Sequence, residues 1–524
     1  MEKNRKKAFK KTIKRRIDID LQELDNILDT AVEKPIPEME ANKVKTALHI
    51  LVERLTPQPR TTEKTAQVIE SVDPVTTDEN NSPKPGHGRN GASAYTSAQK
   101  IEVTNSELDA GCTCPGCQKG KVYRQKEKKI LVRCGAQPPV QATVYELERL
   151  RCNLCGEIFT AQEPEGVGPE KYDETVPSMV AQLKYGSGMP FNRIEALQKR
   201  LGVPLPASTQ WELVRDTAEI MKPVHDALIE LAAQGEILHN DDTGMRVLNV
   251  EREANDKRTG TFTTGVISDS GRQEVALYFT GIQHAGENLG DVLKHRSKEA
   301  KAPMLMCDAL SRNVPKPSDP DSLTVILGNC LSHGRRHFVD VVNNFPDECR
   351  YVLETLGEVY GNDRLAREQN LNPQERLALH RERSSPLMKN LKSWMTEQLE
   401  EKRTEPNSGL GQAMNYMLKH WEPLTLFLRN AGAPLDNNIC ERALKKAVLH
   451  RKNALFYRTM NGAQVGDLYM SLIYTCELNN INPFYYMTEL QRHAQELRKD
   501  PTAWMPWNYS KALTGLNAPL PVSC

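Results

Sequence analysis

The sequence predicts an α+β multidomain protein, and three observations carry that prediction. Short apolar or alternating runs, separated by turn residues, cluster between residues 236 and 327, which is how the strands of a sheet read. On either side, 175–233 and 332–432 space their apolar residues at helical intervals. Upstream lie two Cys-x-x-Cys pairs in a stretch too polar to build a core of its own. A length of 524 residues suits two to four domains, and 39% hydrophobic with 26% charged residues is enough for a sizeable core in at least one of them.

The elements follow in chain order. Residues 1–16 carry nine Lys/Arg and one Glu, a solvated tail or an arm for phosphate, while the whole chain has a net charge of only +1. Between 18 and 54, Leu21, Leu24, Ile27 and Leu28 line one helical face and Val44, Ala47, Leu48 and Leu51 another, with Pro35 and Pro37 between the two helices. Helices this short need a partner surface, either each other or a second copy in a coiled coil. Residues 56–100 are rich in Pro, Thr, Ser and Gly and read as a linker. Within it, Pro85 to Asn90 is a Gly-rich turn, or a segment that lays Arg89 into a DNA minor groove.

Cys114-Pro-Gly-Cys117 and Cys152-Asn-Leu-Cys155 form a zinc-ribbon-like module, because four thiolates suit a tetrahedral structural Zn2+. The interval between the pairs, Gln118 to Arg151, exceeds the usual spacing and predicts a β-hairpin insert over Lys129 to Arg133 and Thr143 to Leu147. Phe191 to Leu201, a turn at Gly202 and a segment opening at Ser208-Thr209 read as a helix-turn-helix or as a plain packed pair. Strands are predicted at Ile237-Leu238, Phe262–Ile267, Val275–Phe279, Met304–Met306 and Val325–Leu327, with a turn at Asp269-Ser270-Gly271. Trp394 and Trp421 are the anchors of the following helices. A last helix starts near Asp436, and 464–524 adds one more helical pattern and a Trp504-Met-Pro-Trp507 tail. No run of 18 apolar residues and no secretory segment exists, so the chain is predicted to stay inside the cell. Its 12 Cys then read as metal ligands or core thiols before disulfides.

Three acids stand where chemistry could be done. Asp241 follows the Ile237-Leu238 strand, Asp308 ends the run Met304 to Cys307, and Glu441 lies near the start of the last helix, after the longer of the two intervals. Acids at strand ends converge on one rim of a sheet, and a neighbouring helix can add a third. Such a set suits two Mg2+ (or Mn2+) ions that activate water or a 3′-hydroxyl on one side and steady the leaving oxygen on the other. Each acid also has an ordinary reading. Asp241 or Asp242 begins a turn, Asp308 caps the segment after it, and Asn438 to Glu441 forms a capping box with Glu441 paired to Lys445.

At these same residues, the strings HNDDTG, MLMCDAL, GNCLSHGRRHF and PLDNNICERALKKAVLHRKNALF resemble the insertion-sequence-66 family of bacterial DDE transposases. The resemblance covers most of the chain from about residue 85 and is most specific over Asp436 to Phe456. It implies an RNase H-like mixed β-sheet core with a helical insertion before the Glu, which suits the long interval between Asp308 and Glu441. It implies Asp241, Asp308 and Glu441 as metal-holding catalytic residues. The family's Asp-Glu-Thr reads Asp241-Asp242-Thr243 here, so Asp242 stands in place of the Glu and both aspartates remain candidates. Cys330-Leu-Ser-His333 matches a Cys-x-x-His signature of related transposases and supports the site. On its own the pair would be half of a zinc site, and the lack of a second pair near it in sequence counts against that reading.

The domains expected are a basic arm and helices (1–55), a linker (56–105), the zinc module (106–163) and a helical, helix-turn-helix-like DNA-binding region (164–234). A DDE catalytic domain (235–463, insertion about 345–432) and a C-terminal region (464–524) follow. The reading is a transposase that binds terminal inverted repeats, hydrolyses a phosphodiester and transfers the strand. Arg335, Arg336, Arg442, Lys445, Lys446, Arg451 and Lys452 lie near the acids and could neutralise double-stranded DNA. A homo-oligomer on paired ends and accessory proteins of the same element are implied partners. The competing readings are a zinc-containing DNA-binding regulator without catalysis and an RNase H-like nuclease.

Overall fold

A computed structural model describes Val44, Glu102 and residues 109–124, 137–151, 153, 155, 158–168, 170–250, 252, 258–316 and 325–516. The expected N-terminal helices other than Val44, Arg89, Lys129 to Arg133 and Cys152 lie outside the described residues. The chain divides into two compact units, one of residues 75–141 and one holding everything from 142 onward together with 1–74. The division falls inside the stretch expected as one zinc module.

In the 75–141 unit, Thr113 bridges Lys121 in antiparallel fashion, and the Cys114 N–H donates to the Gly120 carbonyl at 2.7 Å. This closes a tight turn around Cys114 and Cys117. In the larger unit, β1 (Arg149–Arg151) pairs antiparallel with β2 (Ile158–Thr160), flanking Cys155. The hairpin expected at Thr143 to Leu147 is absent there: those residues are not strand. The paired segments instead flank the second Cys-x-x-Cys loop directly, whose short span brings its two arms together.

Helix α1 (Thr175–Ala181) runs into a wide turn, Gln182–Gly186, and is followed by α2 (Phe191–Arg200) and α3 (Ala207–Ala232). Gly202, at φ +81°, makes the turn between α2 and α3 where a Cβ would be strained. Val214, Ala218, Met221, Val224, Leu228 and Ala232 are all buried at intervals of three and four, so α3 lays one face on the sheet. That long buried face makes α3 part of the sheet's own core, with α2 packed on α3.

The sheet has five strands: β3 (Ile237–Gly244), β5 (Phe262–Asp269), β6 (Glu274–Gly281), β7 (Met304–Cys307) and β8 (Ile326–Asn329). A separate short pair joins β4 (Val247–Asn249) to β9 (Tyr457–Thr459). The order is β6-β5-β3-β7-β8, antiparallel among the first three and parallel from β3 to β8. The predicted turn after β5 is present, with Gly271 at φ +76° and its N–H donating to Asp269 Oδ1. Helix α4 (Ala285–Leu293) links β6 to β7, and α5 (Leu331–Val339) follows β8.

Between α5 and the last acid, α6 (Pro346–Glu368), α7 (Pro373–Leu379), α8 (Ser385–Glu400), α9 (Gly409–Lys419) and the short α10 (Trp421–Leu424) gather a core of their own. It includes Val352, Leu356, Leu391, Met414 and Trp421, with Trp394 packed against it, and it continues into Leu331 and Phe338 of α5. The chain then returns to the sheet as α11 (Asn438–Ala454) and α12 (Met460–Leu478), and ends in α13 (Pro483–Arg492), α14 (Ala494–Lys499) and α15 (Tyr509–Leu516).

Helix α12 covers the edge strand. Asp467, Ser471, Thr475 and Asn479 accept from the N–H groups of Thr280, Tyr278, Ala276 and Glu274 at 2.6, 3.0, 3.0 and 3.4 Å. Four helical residues rise about 6 Å and two strand residues about 6.7 Å, so the two repeats stay in step. The exposed edge of β6 is thereby satisfied by side chains rather than by another strand. The helix also crosses the boundary expected between 463 and 464.

Candidate active site

Strand β3 pairs with β5 along its whole length, from Ile237 opposite Asp269 to Gly244 opposite Phe262. Its pairing with β7 covers only Ile237, Leu238 and His239. Beyond His239 and Cys307 the parallel strands part, and Asp241 and Asp308 stand in the opening. Asp241 is therefore inside a strand that continues to Gly244, not at a turn after Leu238.

The two acids meet through a residue the sequence reading missed. Asn313, wholly buried in the short 3-10 turn after β7, donates its Nδ2 to Asp308 Oδ1 at 2.5 Å and to Asp241 Oδ1 at 3.3 Å. Its backbone carbonyl accepts from Asn240 Nδ2 at 2.7 Å, which ties that turn to β3. The available signal was an amide side chain shortly after Asp308 in an otherwise ordinary loop. Burial, and then the charge of Asp308, push the Asp241 carboxyl up to about 7. Asp308 also accepts weakly from the Leu310 N–H at 3.4 Å, so its expected local capping role coexists with the pairing.

Asp242 points to the other face, as alternation along a strand requires. Its side chain is 1% exposed, and Oδ2 accepts from His284 Nδ1 at 2.8 Å and from the Ala285 N–H at 3.4 Å, while Arg312 Nη2 lies 3.3 Å from Oδ1. These contacts use the carboxylate to fix the start of α4. Asp241 has fewer donors, the Asp242 N–H and Asn313 Nδ2, and an acid for a neighbour.

Glu441 arrives on α11. Gly265, the cross-strand partner of Asp241, has no Cβ, and one built there would meet Leu444 Cδ2 at 3.2 Å and Cys440 Sγ at 3.6 Å. The absent side chain lets α11 lie against this face, and Cys440 Sγ donates to the Gly265 carbonyl at 3.4 Å. The residue before Glu441 therefore sits on the strand position opposite Asp241. The Cys440 thiol is raised well above its ordinary value by burial first, then by Asp241, Glu441, Cys307 and Asp308, so all three acids surround it.

The expected capping box is not formed. The N-cap of α11 is Asn437, whose side-chain Oδ1 instead accepts from His239 Nδ1 at 3.0 Å and whose Nδ2 donates to the Asn240 carbonyl at 3.0 Å. Asp436 Oδ1 takes the Asn438 N–H at 3.1 Å. Glu441 Oε1 lies 3.6 Å from His333 Nδ1, and no Glu441–Lys445 pair forms among the described residues. Cys330 Sγ accepts from the Asn437 N–H at 3.3 Å, joining the start of α5 to the start of α11. From the helical insertion, the Tyr416 ring meets His337 at a tilt of 50°, and its hydroxyl is raised up to about 12 by burial and then by Asp308, which brings α9 to the rim of the site.

The model of the transposase IS66 family matches residues 171–465, more than half of the chain, and that span holds all three acids and both flanks of the sheet. The chain belongs to the IS66 transposase family. It is 27% identical over 428 residues to the uncharacterised protein y4hP of Sinorhizobium fredii, covering 76% of this chain and 74% of that one. It is 30% identical over 193 residues to y4jD of the same organism (36% and 37% covered) and 25% identical over 362 residues to y4qI (65% and 64%).

Around the acids of this IS66-family chain, the basic residues divide. Arg451 donates to Thr243 Oγ1 at 3.1 Å and to the Gly244 carbonyl, pinning α11 to the end of β3. Lys446 pairs with Glu477 at 2.7 Å. Arg336, Arg442, Lys445 and Lys452 are exposed, and Arg335 is half-buried. In the other unit, Cys117 Sγ accepts from the Gly120 N–H at 3.4 Å. Backbone N–H groups of Lys119 and Gly120 lower the Cys117 thiol, as suits a metal-binding thiolate. Among the described residues no helix is long and apolar enough to cross a membrane.

Proposed function

We propose that this protein is a DDE strand transferase that cuts at the ends of a mobile DNA element and joins the freed 3′ ends to target DNA. The observation that carries the reading is the meeting of Asp241 and Asp308 on one amide, Asn313, beside the helix that brings Glu441. The mixed sheet, antiparallel from β6 to β3 and parallel from β3 to β8, supports the same reading.

Asp241, Asp308 and Glu441 would hold divalent magnesium or manganese. The fit rests on the crowding of Asp241 by Asp308, a repulsion that a cation between carboxylates relieves. When bound, the metal supplies an activated oxygen nucleophile and charge neutralisation at the scissile phosphate. The chain's own residues do the rest. Asn313 fixes the two aspartates in a common orientation, and Asp242 locks the strand and α4 beneath them. The Asn437–His239 and Cys330–Asn437 contacts set the start of α11. Arg336, Arg442, Lys445 and Lys452 would bind backbone phosphates and hold the duplex in register.

A structural zinc on Cys114, Cys117, Cys152 and Cys155 is part of the proposal, supported by the two Cys-x-x-Cys spacings and by the Cys117 turn. The proposal extends to binding of terminal inverted repeats and assembly of copies across paired ends, supported by the family's implied DNA binding. The test is incubation of the purified full chain with Mg2+ or Mn2+, duplexes bearing the flanking inverted repeats, and target DNA. Joined products are expected, and Asp308→Asn should abolish them while retaining end binding. End binding with neither nicking nor joining would favour a regulator, and cleavage of RNA–DNA hybrids without joining would favour a nuclease.

A further inference from the structure

We propose that Cys330, His333 and Glu441 form a binding site for a thiophilic divalent cation of the zinc class, beside the Asp241–Asp308 pair. A sulfur, a ring nitrogen and a carboxylate oxygen from these residues all lie within 4.8 Å of one another. The Cys-x-x-His pair supplies two donors from one turn at the start of α5, and the third comes from α11, beyond the whole helical insertion, which is why spacing alone left the pair incomplete.

The backbone fixes the donors. The Cys330 N–H donates to the Cys307 carbonyl at 2.9 Å, and Cys330 Sγ accepts from the Asn437 N–H at 3.3 Å. The same contact that holds the sulfur thus holds the start of the helix that carries Glu441. His333 Nδ1 is sheltered from solvent and makes no hydrogen bond, so it is a nitrogen without an assigned use. It stands 3.6 Å from Glu441 Oε1. Donors held at roughly 2.0–2.3 Å from a tetrahedral zinc are about 3.3–3.8 Å apart. That pair already has the separation, and rotation of side chains closes the rest.

His333 and Glu441 side chains are each 26% exposed, which gives a cation a way in and leaves a fourth position open. A thiolate, an imidazole and one carboxylate select zinc or cobalt over magnesium, a hard ion that prefers oxygen alone. Binding releases the Cys330 thiol proton to solvent. If Glu441 serves catalysis as proposed above, a cation here withdraws it from the aspartates, and zinc becomes an inhibitor set against magnesium.

The test is titration of the metal-free full chain with Co2+, reading equivalents bound and thiolate-to-cobalt absorption. The Cys-x-x-Cys pairs contribute equally to every variant. Wild type is expected to take up one equivalent more than Cys330→Ser, His333→Gln or Glu441→Gln. Equal uptake by wild type, His333→Gln and Glu441→Gln overturns the site, and these two partly exposed positions keep the test valid if Cys330→Ser fails to fold. Loss with His333→Gln but not with Glu441→Gln overturns the three-residue site as well. No DNA or turnover enters the measurement, so a chain that binds the extra cation but joins no ends leaves this site standing and defeats the strand-transfer reading instead.

Discussion

At the scale of single residues, Asp241 and Asp242 differ by one position and by everything that position implies in a strand. Asp242 is buried under three donors, so Asp242→Asn turns an amide toward groups that also donate. In metal-free urea unfolding it should cost roughly 1–3 kcal/mol. Asp241→Asn should cost nothing, since burial and Asp308 already disfavour the Asp241 charge. The pH dependence has a definite sign. The folded Asp241 keeps its proton up to about 7, against 3.8 for the ordinary carboxyl, so the folded state holds a proton the unfolded chain has released. Stability should therefore fall as pH rises from about 4 to 7, relative to Asp241→Asn, by on the order of 2–4 kcal/mol. Unfolding midpoints of the two proteins across that window check it, and a constant difference would show that Asp241 is not held protonated. Saturating Mn2+ should remove the difference. The placement of Asp308 after a strand and of Glu441 in a helix was legible in the sequence, whereas the position of Asp241 inside a strand was not. Asn313, His284 and Arg312 were not, because nothing in a loop sequence says which carboxylate its side chains will reach.

At the scale of elements, α11 and α12 do the positioning. Gly265→Ala puts a methyl group against Leu444 and Cys440, and α11 must shift by a few tenths of an ångström. We expect a loss of about 1–2 kcal/mol in stability and a fall in strand-transfer rate larger than the fall in end binding. A rate unchanged in that variant would mean that Glu441 does not depend on this contact. On α12, Ser471→Ala leaves the Tyr278 N–H without its acceptor in the core. A cost of about 1–3 kcal/mol is expected, measured by thermal or urea unfolding. The five strands were legible from alternation, and the long helices from their apolar spacing. The hairpin placed at Thr143 to Leu147 was misplaced, because polar β-prone residues without a partner read the same as paired ones. The stripe of Asp467, Ser471, Thr475 and Asn479 is visible as a four-residue repeat only once its strand partner is known.

At the scale of the molecule, a net charge of +1 hides a local excess of cations along α5 and α11. Arg336 on α5 and Arg442, Lys445 and Lys452 on α11 are exposed. If they contact phosphate, replacing both Lys445 and Lys452 by Ala should reduce the slope of log affinity against log salt by about two. Binding of end duplexes at several salt concentrations measures it, and an unchanged slope would place the DNA elsewhere. The helical insertion behaves as a second core that continues into Leu331 and Phe338 of α5 and packs on Met304 and Ile326 of the sheet, and it returns Tyr416 to the neighbourhood of Asp308.

By itself the sequence determined most of the element types and the family, since hydrophobic period and short motifs are local properties of the chain. Only the tertiary structure decided which aspartate faces α11, which amide joins Asp241 to Asp308, and that Glu441 lies beside Cys330 and His333. Those facts depend on strand face, on where β3 and β7 part, and on the approach that Gly265 permits, and each is fixed by residues far away along the chain.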